Sequence, residues 1–150
     1  MKHTILLLAV LAVMSCSGKS AKDNPMLVEA NEVHLAAEAI QEEIEPQIEK
    51  LDSLRNLLTM RKTPQADSVI ADLATLKTDF EAWEKDFFPV PGFEHAHAGK
   101  HEHHHHHDHA PAPELPADKM LEVQKEIKKN IEGIQNRLSE TLTKTRKILQ

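Results

Sequence analysis

Residues 95–116 read HAHAGKHEHHHHHDHAPAPELP, and nine of the chain's eleven histidines fall within the fifteen positions from His95 to His109. Neutral imidazole is the commonest protein ligand for divalent transition metals, and an ordinary imidazole, with a pKa of about 6.5, is mostly deprotonated at neutral pH. His95, His97, His101, His103, His104, His105, His106, His107 and His109 are the candidate nitrogen ligands. In an extended chain the odd-numbered members from His101 to His109 share one side; in a helix the pairs His101/His105, His103/His107 and His105/His109 do. Glu94, Glu102 and Asp108 add hard oxygen donors. Imidazole with carboxylate suits Zn(II), Ni(II), Co(II) and Cu(II), whereas the lack of cysteine in the tract and of clustered methionine argues against a dedicated Cu(I) site.

A structural zinc site fixes four ligands in a folded frame. Gly99, the Ala-His repeats and the APAPELP run instead describe a flexible, partly polyproline II-like loop, expected to be disordered over residues 89–115. Ordering such a loop around an ion costs conformational entropy. The expectation is therefore several weak, interchanging sites with affinity on the order of micromolar, about 8 kcal/mol. Two plainer readings stand beside this one. An expression tag would sit at a terminus as six or more consecutive histidines, whereas this tract is internal, its longest run is five, and its flanks keep the bias as HAH, HEH and HDH. A solvated low-complexity spacer, with incidental metal affinity, has the same composition.

The compartment decides which metal the tract could meet. MKHTILLLAVLAVMSC has a short basic start at Lys2, an apolar run from Ile5 to Met14, and Ser15 before Cys16. About ten apolar residues are too few to span a bilayer and suit a signal peptide over residues 1–15. The segment resembles a bacterial lipoprotein signal with Val13-Met14-Ser15-Cys16 as its lipobox. That resemblance implies lipidation of Cys16, a lipid-anchored linker over residues 16–23, and a place in the cell envelope on the inner or outer membrane. Cys16 is the chain's one cysteine, so neither an intramolecular disulfide nor a thiolate cluster can form.

Three segments carry helical periodicity. Asn24 can cap a helix opened by Pro25; its seam of Ala30, Val33, Ala37, Ile40, Ile44, Ile48, Leu51, Leu54 and Leu58 predicts a helix to about Arg61, kinked by Pro46. Thr63 and Pro64 open a second helix, in which Val69, Leu73, Leu76, Phe80, Trp83 and Phe87 step by alternating fours and threes, a heptad seam. Pro89, Pro91 and Gly92 stop it. The third helix, residues 116–150, has Met120, Val123, Ile127, Ile131, Ile134, Leu138, Leu142 and Ile148 or Leu149 as its seam, with Gly133 a weak point. No strand-like alternation occurs. The fold class is all-α: three long helices in an antiparallel bundle or coiled-coil hairpin, with residues 24–88 forming the helical hairpin.

Charge favours joining the three. Residues 24–62 hold eight acids and four bases, residues 63–88 six acids and two bases, and residues 116–150 five acids and eight bases. Exposed ion pairs contribute only about 0–1 kcal/mol each, so the seams must supply most of the cohesion; the same seams could also mediate self-association. If the turn at 62–63 folds the second helix back on the first, Phe88 lies level with Ala37. The tract then leaves the bundle beside the N-terminal half of the first helix. His34, near that level, is expected on the surface, with a role as a further metal ligand as the alternative.

The pattern ANEVHLAAEAIQEEIEPQIEKLDSL, a second helix ending AWEKDFF, a polar gap and a last helix MLEVQKEIKKNIEGIQNRL resembles a group of small helical exported bacterial lipoproteins often labelled "viral A-type inclusion protein". The resemblance implies a three-helix lipoprotein and no established activity. It also implies histidine and methionine around the mid-helix proline, where this chain has Gln41 and Glu45.

The chain carries a net charge of −6, or −7 without residues 1–15 and their Lys2, and its five aromatics lie within fourteen positions. Neither property suits nucleic acid. No nucleophile motif and no glycine-rich phosphate loop appears, so the chain reads as a non-enzyme. The leading expectation is a lipid-anchored protein that captures, buffers or delivers divalent metal, with a metal transporter or efflux system as a partner. The alternative is a helical interaction or chaperone-like scaffold with the tract as spacer.

Overall fold

The computed structural model describes residues 20–93 and 111–150. A short 3-10 turn, Ala21–Asp23, leads into α1 (Pro25–Ile48), α2 (Leu51–Thr59), α3 (Pro64–Asp86) and α4 (Ala117–Leu149), and no strand occurs among the described residues. The starts follow the sequence's own punctuation. Asn24 Oδ1 accepts from the Met26 amide at 3.0 Å ahead of Pro25, and Thr63 Oγ1 accepts from the Ala66 amide at 3.2 Å across Pro64.

The first helical stretch is not one kinked helix to Arg61 but two, separated at Glu49 and Lys50. Pro46 cannot donate to the Glu42 carbonyl. α1 nevertheless continues to Ile48, and the Glu49 amide still meets the Glu45 carbonyl; the ladder then tightens as the Lys50 amide turns to Gln47 at 3.2 Å. Gly133 does not interrupt α4, which runs through it unbroken.

α4 lies between the other two arms, parallel to α1 and antiparallel to α3. Along α1, Glu29 meets Lys125 (2.7 Å), His34 meets Gln124 and Glu43 meets Gln135 (3.0 Å); past α2, Arg61 continues the register by donating to the Leu149 carbonyl at 2.6 Å. Along α3 the register descends: Trp83 donates to the Ile127 carbonyl at 2.9 Å, Asp79 meets Arg137 at 2.7 Å, and Asp72 meets Lys144 at 3.8 Å. The basic face of α4 thus bridges the acidic arms on both sides, as the charge division along the chain requires. The hairpin register also holds, since Gln41 donates to Glu84 at 3.1 Å.

Asp52 on α2 holds both Lys77 of α3 and Arg55. The Lys77 hydrogen bond, then that of Arg55, keeps the Asp52 carboxyl below its ordinary range. A depressed carboxylate stabilises above its unfolded pKa of about 4 and loses that contribution as pH falls through the folded value. Both partners are well exposed, so this clamp is a minor one.

The main core joins Ile44, Leu51, Leu58, Leu73, Leu76, Phe80, Trp83, Ile131 and Leu138. A smaller cluster of Ala30, Val90 and Met120, with Leu27, Phe93 and Leu121 against it, closes the end where α1 and α4 begin.

Candidate functional site

The buried stripes of α1 and α4 keep strict alternating steps of three and four, and that strictness draws polar side chains inward. On α1 the buried positions are Ala30, His34, Ala37, Gln41, Ile44 and Ile48; on α4 they are Met120, Gln124, Ile127, Ile131, Ile134, Leu138, Thr141 and Thr145. Val33, Ile40, Val123 and Leu142, assigned to the seams from the sequence, are only half-buried.

His34 is the main correction. It is not a surface residue: 2% of it is exposed. Its ring stacks on Phe87 with centroids 4.4 Å apart and planes 16° from parallel. Its Nδ1 lies 3.3 Å from Gln124 Oε1, and Gln124 Nε2 donates to the Phe88 carbonyl at 3.0 Å. That second bond fixes the amide, because only its nitrogen can donate to a carbonyl. Oε1 therefore faces His34, Nδ1 carries the proton, and in the neutral ring Nε2 carries the lone pair. A buried glutamine with both ends of its amide engaged avoids the penalty of an unsatisfied polar group. Sequence reasoning missed Gln41, Gln124, Thr141 and Thr145; the signal that finds them is the heptad step itself, applied without regard to residue type.

This network clamps the segment that follows α3. Phe87 covers His34, the Phe88 carbonyl is held by Gln124, Val90 is buried, and Phe93 packs on the Ala30/Met120 cluster. The histidine tract, with His95, His97, His101, His103–His107 and His109 and the carboxylates Glu102 and Asp108, lies outside the described residues, as does Cys16. The structure does locate the points from which the tract departs and to which it returns. Phe93 sits at the end where α1 and α4 begin, and Pro111 stands six residues before α4. Ala21 of the 3-10 turn reaches the same place: a Cβ on Gly92, whose φ is +82°, would come within 2.5 Å of the Ala21 Cβ. Ser20 and Asp23 rigidify that turn by reciprocal capping.

Gly92→Ala should therefore be unfavourable twice over. A non-glycine residue at this φ costs about 1–2 kcal/mol, and the added methyl must displace the Ala21 turn. Thermal unfolding should register a fall in melting temperature, and limited proteolysis should cut earlier around residues 20–24; a variant indistinguishable from the parent would mean that the turn does not rest on Gly92.

Among the described residues no three His, Cys, Asp or Glu side chains gather closely enough to hold a metal ion, and no helix is long and apolar enough to cross a membrane. The described bundle thus supplies a frame, a buried histidine with a set tautomer, and two fixed ends for the tract. Comparison with known proteins finds no family model, no curated sequence and no solved structure that matches this chain.

Proposed function

We propose that the protein is an envelope lipoprotein, anchored through Cys16, that binds divalent transition metal (Zn(II), Ni(II), Co(II) or Cu(II)) weakly and at several sites through His95–His109, for capture, buffering or delivery. The observation that carries this reading is the tract itself, nine imidazoles in fifteen positions. The described residues nearest to Cys16 and to His95 support it: Ala21 and Gly92 meet at one end of the bundle, so a tract continuing from there would be held near the membrane, where a transporter or efflux system could exchange ions with it. His34 takes a packing role in the clamp, and replacing it by alanine removes at most one ligand.

Protonation tests the ligand assignment. Ordinary imidazoles are mostly neutral at pH 7.5 and mostly cationic at pH 5.5, and a protonated ring nitrogen cannot coordinate. Calorimetric titration with Zn(II) should show binding of micromolar order at pH 7.5 that collapses by pH 5.5; retention at pH 5.5 would assign the metal to carboxylates instead.

The anchor is tested separately. Cys16→Ala should abolish lipid labelling and release the protein into the soluble fraction. A variant that withstands salt and carbonate washing on the membrane would overturn the lipoprotein assignment.

A further inference from the structure

The opposite end of the bundle, where α2 turns into α3 and α4 finishes, differs from the rest of the molecule in both charge and polarity. The chain is net acidic at −6, yet residues 52–72 and 141–150 together carry six bases against three acids, Asp52, Asp67 and Asp72; Arg55 and Lys144 pair with Asp52 and Asp72, which leaves Arg61, Lys62, Arg146 and Lys147 as the basic residues of the tip. Two hollows flank the last turns of α4. One, of about 350 Å³, has Leu54, Leu142 and Leu149 in its wall; the other, of about 390 Å³, has Val69 and Ile148. At the same end of the chain's hairpin, Leu57 on α2 and Met60 just past it are 45% and 68% exposed, and Met60 is the most exposed of the large apolar residues described. The turn between α2 and α3 also holds Lys62 at a φ of 51°, where glycine would be less strained. A lysine is thus kept at the tip at some cost in conformational energy.

We propose that this tip is a docking surface for an acidic amphipathic helix of a partner protein. Paired concavities on the two sides of one helix end accept side chains, and the exposed leucine and methionine at the end of α2 add adaptable apolar surface. Basic residues at the margins select a partner whose polar face is acidic and raise its association rate. A flat anionic bilayer would meet the same charges but would leave the hollows unfilled. The surface is independent of the metal reading, since neither the tract nor its clamp contributes to it.

The test uses the full chain, with chelator present throughout, and two synthetic 18-residue helical peptides that share a leucine face and carry either glutamate or lysine on the other. The glutamate peptide should bind at low salt with affinity on the order of tens of micromolar, and the Lys62→Glu/Arg146→Glu/Lys147→Glu variant should weaken it about tenfold or more while its helical circular dichroism is unchanged. Leu57→Ser/Met60→Ser should weaken it without loss of fold. Lys62→Gly separates the two roles of that residue: the melting temperature should hold or rise while binding falls. Equal binding of the lysine peptide, no binding of the glutamate peptide at about 1 mM, or indifference to the charge reversals would overturn the proposal. Charge-dependent binding to phosphatidylglycerol vesicles without peptide binding would reassign the tip to a lipid surface.

Discussion

Replacing residues 95–109 by a Gly/Ser linker of equal length is expected to abolish calorimetric Zn(II) and Ni(II) binding while leaving the helical circular dichroism and the metal-free melting temperature close to those of the parent. Both halves of the expectation have a physical source. All nine tract imidazoles are removed, and among the described residues no cluster stands ready to replace them. The bundle meanwhile keeps its cores, whose members lie within residues 27–93 and 120–149. Loop closure depends on the number of residues far more than on their identity. The clamp that fixes the departing chain ends at Phe93, two residues before the replaced segment, so His34, Phe87 and Gln124 keep their partners. Parental metal affinity in the linker variant would move the site into the helices; loss of helicity would show that the tract supports the fold.

The second large effect concerns Trp83. Its ring is 6% exposed and sits between Phe80 and Phe87, with centroids 6.2 and 4.6 Å away, and its indole nitrogen donates to the Ile127 carbonyl at 2.9 Å. Trp83→Ala removes the largest side chain of the α3 seam, opens a cavity between α3 and α4 and takes away one of the two rings that Phe87 stacks on, the other being His34. Such truncations cost about 3–5 kcal/mol. For a domain of this size that corresponds to a fall in melting temperature on the order of 10–20 °C. Trp83→Phe, which keeps most of the ring but loses the hydrogen bond, should fall in between. A fall of a few degrees or less for the alanine variant would mean that the aromatic stack does not hold α4 to α3.

The α3 stripe was fully legible, because every heptad position from Val69 to Phe87 is apolar and type and period agree. So were the caps at Asn24 and Thr63, where short polar side chains precede proline. On α1 and α4 period and type disagree at a few places, and period wins. Rotating α1 by one residue to bury Val33 and Ile40 in place of His34 and Gln41 would turn Ala30, Ala37, Ile44 and Ile48 away from α4. The helix keeps the larger set and satisfies the two polar side chains by hydrogen bonds. The break at Glu49 and Lys50 could not be placed from Pro46 alone, since proline removes one bond but does not fix where the ladder re-forms. Gln124 was illegible for another reason: its partners, His34 and the Phe88 carbonyl, are 90 and 36 residues away in sequence.

The parallel pairing of α1 with α4 has a kinetic consequence. Its contacts join residues 90, 92 and 96 positions apart, at His34–Gln124, Glu43–Gln135 and Glu29–Lys125. The α2–α3 hairpin closes locally, as in Asp52–Lys77 with a separation of 25. Folding rates fall as contacts become more distant in sequence, so the hairpin should form early and the docking of α4 should set the slow step. Until α4 is synthesised and docks, the apolar faces of α1 and α3 that it buries, the Trp83 side among them, are open to water. During that interval the chain is most exposed to aggregation and most in need of a holding factor. Lengthening or shortening the connection ahead of α4 should change this little, because each doubling of loop length adds only about 0.6 kcal/mol to the entropy of closure.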